Sequence, residues 1–158
     1  MGHMIIRTYQ PQDHTACIEL FNSNTPKYFD PSERTDFESW LQGQDEGKLA
    51  YKQTGEEFYY VVELENKIAA CGGFYIPKEG LEASMTWGMV AHNRHRQGIG
   101  KALLLHRIKE IETRYPQYAI ALDTTQFSYP FFEKQGFRIT KITPDFYGQG
   151  MDRYDMIR

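Results

Sequence analysis

The stretch NRHRQGIGKALLLHRIKEIETRY, Asn93 to Tyr115, decides how the rest of the chain is read. Its second part is a helix, because Ile99, Leu103, Ile108 and Ile111 fall on one stripe at the 3.6-residue period. Two glycines, Gly98 and Gly100, stand at the mouth of that helix, and Arg94, His95, Arg96 and Gln97 crowd in just before them. A helix opens with unbonded N–H groups and a partial positive charge, so anions bind there when the backbone can be approached closely. Glycine has no Cβ to block the approach and tolerates the positive φ of a tight turn. Strand, glycine-rich turn and helix N-terminus together make a phosphate cradle.

Two familiar cradles do not fit. A P-loop needs Gly, four residues, then Gly-Lys-Ser/Thr; here Ala102 follows Gly100-Lys101, and His95 stands where the first glycine belongs. A dinucleotide fingerprint needs a third glycine at the position of Leu103.

The whole chain sets the frame. Its 158 residues suit one domain, expected over residues 4–158, with Met1-Gly2-His3 reading as a cloning remnant. With 41% hydrophobic and 25% charged residues the composition is that of a globular protein. No stretch approaches the ~20 apolar residues of a membrane span, and no signal peptide is visible, so a cytoplasmic location without membrane attachment is expected. Cys17 and Cys71 both lie in apolar segments and read as buried thiols rather than a disulfide framework. A net charge of −3 argues against a nucleic-acid partner. The charge is uneven: residues 1–60 sum to −5 and residues 61–158 to +2, which suggests an acidic front for a cationic substrate and a basic rear for an anionic one.

The order of elements follows from periodicity and punctuation. MIIRTY reads as a first strand, and PQDHTACIELFNSN as a helix with Ala16, Cys17, Leu20 and Phe21 on one face. DPSERTDFESWLQG is a second helix, capped by Asp30, started by Pro31 and stopped by Gly43. EFYYVVELENKIAACGGFYI is a hairpin turning at Glu65-Asn66. EASMTWGMVA is a strand, YAIALDT a short buried strand, SYPFFEKQ a short helix closed by Gly136, and FRITKIT and MDRYDMIR are the last strands. The pattern implies an α/β mixed sheet with helices on its faces.

MVAHNRHRQGIGKALL, residues 89–104, resembles the acyl-CoA pyrophosphate loop of the GNAT superfamily of N-acetyltransferases, whose pattern is Gln/Arg-x-x-Gly-x-Gly/Ala after a strand and at the start of a helix. YPFFEKQGF, residues 129–137, resembles the family's Tyr-Glu-Lys-x-Gly-Phe segment, and the apolar strand between the two agrees. The resemblance implies a central sheet of about seven strands flanked by about four helices. It also implies acetyl-CoA as co-substrate, no metal, and direct transfer of acetyl to a primary amine, either a small molecule or a protein amine, with a homodimer as one option. The cofactor residues carried over are Met89, Val90 and Ala91 on the strand, Arg96, Gln97, Gly98, Ile99, Gly100 and Lys101 in the loop and helix start, and Phe132. The sequence departs from the pattern in two places: His95 takes the first Gln/Arg, and Phe132 takes the tyrosine that in many members protonates the leaving thiolate.

Phenylalanine has no proton to give. A thiolate whose parent thiol has a pKa of about 8.5 still departs tolerably. The acceptor is the harder problem, since an alkyl amine with a pKa of ~10 must lose a proton before it attacks. Alternation along EASMTWGMV puts Glu82, Ser84, Thr86, Gly88 and Val90 on one face, which makes Glu82 the candidate base, directly or through water. Tyr129 and Tyr147 are the candidate replacement acids, and the Asp145–Asp155 segment is expected to be a mobile loop shaping the acceptor pocket. The competing reading is a CoA-binding regulatory or interaction module with weakened catalysis, for which Phe132 is the argument.

Overall fold

The computed structural model describes residues 3–49 and 53–158; Met1 and Gly2 of the expected remnant lie outside the described residues. The chain runs β1 (Met4–Thr8), α1 (His14–Ser23), α2 (Arg34–Asp45), β2 (Thr54–Leu64), β3 (Lys67–Pro77), β4 (Glu82–Val90), α3 (Ile99–Arg114), β5 (Ala119–Thr124), α4 (Tyr129–Glu133), β6 (Arg138–Gly148) and β7 (Met151–Ile157). The strands form one seven-stranded sheet in the order β1-β2-β3-β4-β5-β7-β6, the expected mixed sheet with helices on its faces. Only β4 and β5 run parallel among its pairs.

The helices fall on two faces. The side chains of Leu103, Leu104, Ile108 and Ile111 from α3 bury against Val62, Phe74, Ala83, Ile120 and Met156. Across the sheet, Cys17 and Phe21 of α1 and Phe37, Trp40 and Leu41 of α2 bury against Val61, Cys71 and Met89. A fully buried Leu, Ile or Phe contributes about 1.5–3 kcal/mol, so these two layers hold the sheet between them. Both cysteines are buried and unbridged. Among the described residues no helix is long and apolar enough to cross a membrane.

Local chemistry explains the turns. Glu65 and Asn66 take φ of 55° and 65°, the left-handed pair of a two-residue hairpin whose twist matches its strands. Asp30 and Glu33 cap the turn leading into α2 reciprocally: the Asp30 carboxylate accepts the Ser32 N–H at 3.0 Å, and the Glu33 carboxylate accepts the Asp30 N–H at 3.0 Å. Gly43 does not stop α2. The helix continues to Asp45, and Gly47, at φ +70°, is the left-handed residue that follows it. Burial of Phe37, Trp40 and Leu41 outweighs the cost of about 1 kcal/mol for a helical glycine.

A second correction concerns residues 145–155, which are not a loop. β6 and β7 form a hairpin with Gly148 opposite Met151, and an irregularity between Thr143 and Gly148 places Asp145 at φ +54°. The Asp145 carboxylate accepts the Gly150 N–H at 2.6 Å, and Gln126 ties the turn to the segment after β5 through the Gly150 carbonyl and the Asp152 N–H.

The parallel pair positions the site. β4 and β5 pair only at Glu82 with Ala119, Ala83 with Ile120 and Ser84 with Ala121. Beyond Ser84, β4 runs on to Val90 while β5 turns its remaining residues to β7. The sheet therefore splits, leaving a notch whose β4 edge has no strand partner among the described residues.

Candidate active site

At the mouth of the notch the two loop glycines serve different needs. Gly98 is the α3 N-cap at φ +80°, and a Cβ there would meet nothing within 4 Å, so its outer face is open. Gly100 takes helical angles, but a Cβ would lie 3.3 Å from Val90 Cγ2 and 3.9 Å from Phe131 Cζ; it lets the helix come down onto β4. The first α3 bond runs from the Ala102 N–H to the Gly98 carbonyl at 3.0 Å, which leaves the N–H groups of Ile99, Gly100 and Lys101 ahead of any intrahelical acceptor. Ile99's side chain is buried, so only its backbone faces outward, whereas Arg96, Gln97 and Lys101 are exposed around the turn. Arg94 is engaged by Glu65 at 3.7 Å.

The β4 edge is shaped by a bulge. Register slips between the Cys71–Met89 and Gly73–Thr86 pairs, and Trp87 sits at φ +37°, an uncommon angle for a bulky residue. The Tyr59 hydroxyl donates to the Trp87 carbonyl at 2.7 Å, and Trp87 packs on Phe37, which holds the kink. The bulge corrects the expected alternation. Ala83 and Met85 face the α3 layer, Trp87 and Met89 the α1–α2 layer, and Val90 returns to the α3 side beside Gly100, so Glu82 and Val90 do not share a face. The Ala91 N–H already donates to the Ala69 carbonyl at 2.8 Å and is not a donor for a ligand. By antiparallel alternation Val90 then points its N–H and C=O away from β3, toward the notch. Its carbonyl accepts the Asn24 amide at 2.8 Å and contacts His95 Nε2 at 3.0 Å; its N–H has no strand facing it.

The far wall comes from three remote segments. The connection between α1 and α2 folds against the β6–β7 hairpin, where a Cβ on Gly148 would come within 2.5 Å of the Asp30 carboxylate. Tyr28 spans the opening, its ring 5.0 Å from that of His95 and 6.4 Å from that of Phe127. Glu33 is half-buried beside Asp30 and Asp123. Burial pushes its carboxyl up to about 7; the Asp30 N–H opposes this, and the neighbouring carboxylates Asp30, Asp123 and Asp36 add to it. The Tyr147 hydroxyl donates to Asp123, and burial followed by that carboxylate's charge holds the phenol well above its ordinary value. Arg153 lies 3.4 Å from the other Asp123 oxygen.

Of the sequence candidates, Val90 lies beside Gly100 of the 96–101 loop, the Met89 side chain is buried in the α1–α2 layer, and Tyr147 lies against Asp123. Glu82 is exposed at the paired end of β4, ~20 Å along an extended strand from the bulge. Tyr129 stacks on Tyr154, with ring centroids 4.6 Å apart. Phe132 packs against Phe137 and the α3-side core, and the ring that reaches Gly100 is that of Phe131. Glu33 stands three residues after the Asp30 cap, the position of a capping-box carboxylate, and nothing local signals that the charge of Asp123 reaches it. Arg107, on the same helical row as Leu103 and Ile111, is a cation on an apolar stripe, a signal that was available.

Comparison with known proteins accords with this geometry. The family model described as acetyltransferase (GNAT) family matches residues 15–137. A protein assigned to the GNAT family from Desulfovibrio desulfuricans superposes with a TM-score of 0.79 at 18% identity, covering 99% of this chain and 98% of that one. The ribosomal-protein-S18-alanine N-acetyltransferase of Escherichia coli gives 0.75 at 21% identity, covering 98% and 92%. An aminoglycoside 6'-N-acetyltransferase complexed with coenzyme A gives 0.71 at 17%, covering 98% and 96%. No curated protein sequence matches. The family model spans both the loop and the segment after β5, and the seven-stranded split sheet is the fold of these structures: this chain belongs to the GNAT family of acetyltransferases.

Proposed function

We propose that the protein moves an acetyl group from acetyl-CoA directly to a primary amine while both are bound. The observation that carries this reading is the glycine-opened start of α3 set against the β4 edge left beyond Ser84, where a Cβ on Gly100 would lie 3.3 Å from Val90 Cγ2; the acidic side chains Asp30, Glu33 and Asp123 supplement it. The pyrophosphate fits the N–H groups of Ile99, Gly100 and Lys101, with Arg96, Gln97 and Lys101 around it and Gly98 leaving the approach open. The amide-bearing arm of the cofactor suits the unpaired β4 edge, and the Val90 N–H is available to the thioester oxygen.

On the acceptor side Asp30, Glu33 and Asp123 favour a cationic amine. Glu33 replaces Glu82 as the proton acceptor in this reading. A carboxylate titrating near 7 accepts a proton from the amine far more readily than an ordinary one, and is still ionised for a useful fraction of the time at neutral pH. Tyr147 orients Asp123 rather than serving as a free acid, since its proton is directed at that carboxylate.

The test is release of free thiol from acetyl-CoA across a panel of polyamines, aminoglycosides and peptide N-termini, with thermal stabilisation by CoA measured in parallel. Thiol release dependent on an amine is expected. Stabilisation by CoA without release on any amine would overturn acetyl transfer in favour of cofactor binding alone.

A further inference from the structure

A buried guanidinium lies directly behind the β4 bulge. Arg107, on the third turn of α3, is 5% exposed. A Cβ on Gly88 would come within 3.2 Å of its Nη2, and one on Gly72 within 3.2 Å of its Cζ. Glycine at both positions leaves the space the head group fills. Nη1 donates to the Gly73 carbonyl at 3.2 Å, and Nε is buried with no partner. No carboxylate pairs with it among the described residues. The titratable groups that act on its charge are Tyr59, Cys71 and Tyr60, of which Tyr59 and Cys71 belong to the layer across the sheet.

Buried cations are ordinarily paired, because leaving one unpaired is costly. We propose that Arg107 is kept as an unneutralised positive charge behind Gly88 to stabilise the negative charge that develops on the thioester oxygen and then on the leaving sulfur. This rests on the acetyl-transfer reading above and answers the absence of an acid at Phe132. Burial lowers the guanidinium to about 10, so it remains charged at neutral pH, while Tyr59 and Tyr60 are pushed up by burial and stay neutral.

The electrons then balance without a proton on the leaving group. The amine lone pair forms the C–N bond and the carbonyl π pair moves to oxygen. The ammonium has by then lost one proton to Glu33, which passes it to solvent; the π pair returns as the C–S bond breaks, its electrons stay on sulfur as a thiolate, and the second proton, from the N–H of the adduct, passes to the ionised Glu33. Arg107 neither gains nor loses a proton, and acts through space as a positioning charge.

Arg107→Met, Arg107→Gln and Arg107→Lys test the assignment. The neutral variants are expected to fold with a Tm at or above that of the wild type, since an unpaired buried charge is removed. Their kcat should fall about 10- to 100-fold, less than the full loss of a contacting oxyanion donor, with KM for acetyl-CoA within about threefold. The thiol of bound CoA, followed by thiolate absorbance, should ionise about tenfold less readily than in the wild type, and Lys should restore most of both properties. Neutral variants with wild-type kcat and unchanged thiol ionisation would overturn the proposal, as would Lys and Met variants equally impaired. Failure of both neutral variants to fold would assign Arg107 a packing role and overturn it too. A wild type that turns over no amine would sink the acetyl-transfer reading itself, an outcome distinct from these.

Discussion

In the proposed reading the groups offered to the cofactor are backbone N–H groups on one short segment, Gly98 to Lys101, and on the β4 edge beside it. Those it offers to the acceptor are side chains, Asp30 and Glu33 from the approach to α2, Asp123 from β5 and Tyr147 from β6, contributed by positions far apart in the chain. A backbone cradle depends on local conformation and tolerates changes of side chain, as His95 illustrates. A side-chain cluster depends on distant packing and can be altered one residue at a time. The first kind of site suits a cofactor common to a family, the second an acceptor that differs among its members.

The comparison breaks most severely at Gly98. Gly98→Val forces a β-branched residue to φ +80° and puts a side chain into the open face of the cradle. Thermal stabilisation by CoA, worth about 2.7 kcal/mol at a hundredfold excess over Kd in the wild type, should vanish, while the free variant still unfolds cooperatively. Normal CoA binding by this variant would remove the loop from the cofactor site.

Glu33→Gln probes the acceptor side alone. Turnover should fall by ~10²–10⁴-fold with CoA binding unchanged. In the wild type, kcat/KM should rise with pH through about 7 as Glu33 loses its proton, and that limb should be missing in the variant. The stability effect has a defined sign. Because the folded-state carboxyl is raised, its contribution is fully present below the unfolded value and is lost as pH rises through about 7. Wild type should therefore lose more stability than Glu33→Gln between pH 5 and pH 8, as denaturant midpoints would show. A Gln variant with an intact pH limb would exclude Glu33 as the proton acceptor.

Tyr147→Phe removes the hydrogen bond that orients Asp123, without touching the cradle. KM for the amine should rise about tenfold, the worth of about one hydrogen bond to a charged group, and KM for acetyl-CoA should hold. Equal effects on both would mean that the two sides are not separable. The smallest effect is expected at Glu82→Gln, where turnover should stay within about twofold, because solvent surrounds the residue at the paired end of β4. A hundredfold loss there would return Glu82 to the mechanism.

The glycine-opened start of α3 is legible in the sequence because its determinants are contiguous. Gly98, Gly100 and the Ile99–Ile111 stripe are read by anyone who knows how a helix starts, and Glu65-Asn66 announces its turn in the same way. Structure departs from local preference where packing overrides it. Gly43 looked like a stop but is carried through by Phe37, Trp40 and Leu41. The glycine-rich tail looked like a loop but is stitched by Asp145 and Gln126.

The element order, the sheet class and the glycine-opened start of α3 follow from the amino-acid sequence alone, since each depends on the period, caps and turn residues of a single continuous segment. Only the tertiary structure decided which face each β4 side chain occupies. One extra residue at the Trp87–Gly88 bulge reverses the alternation beyond it, separating Glu82 from Val90. It also decided that the charge of Asp123 reaches Glu33, and that Arg107 lies behind Gly88 with no carboxylate partner among the described residues. Charge and burial at a site are sums over everything that packs there, and no single stretch of chain contains that sum.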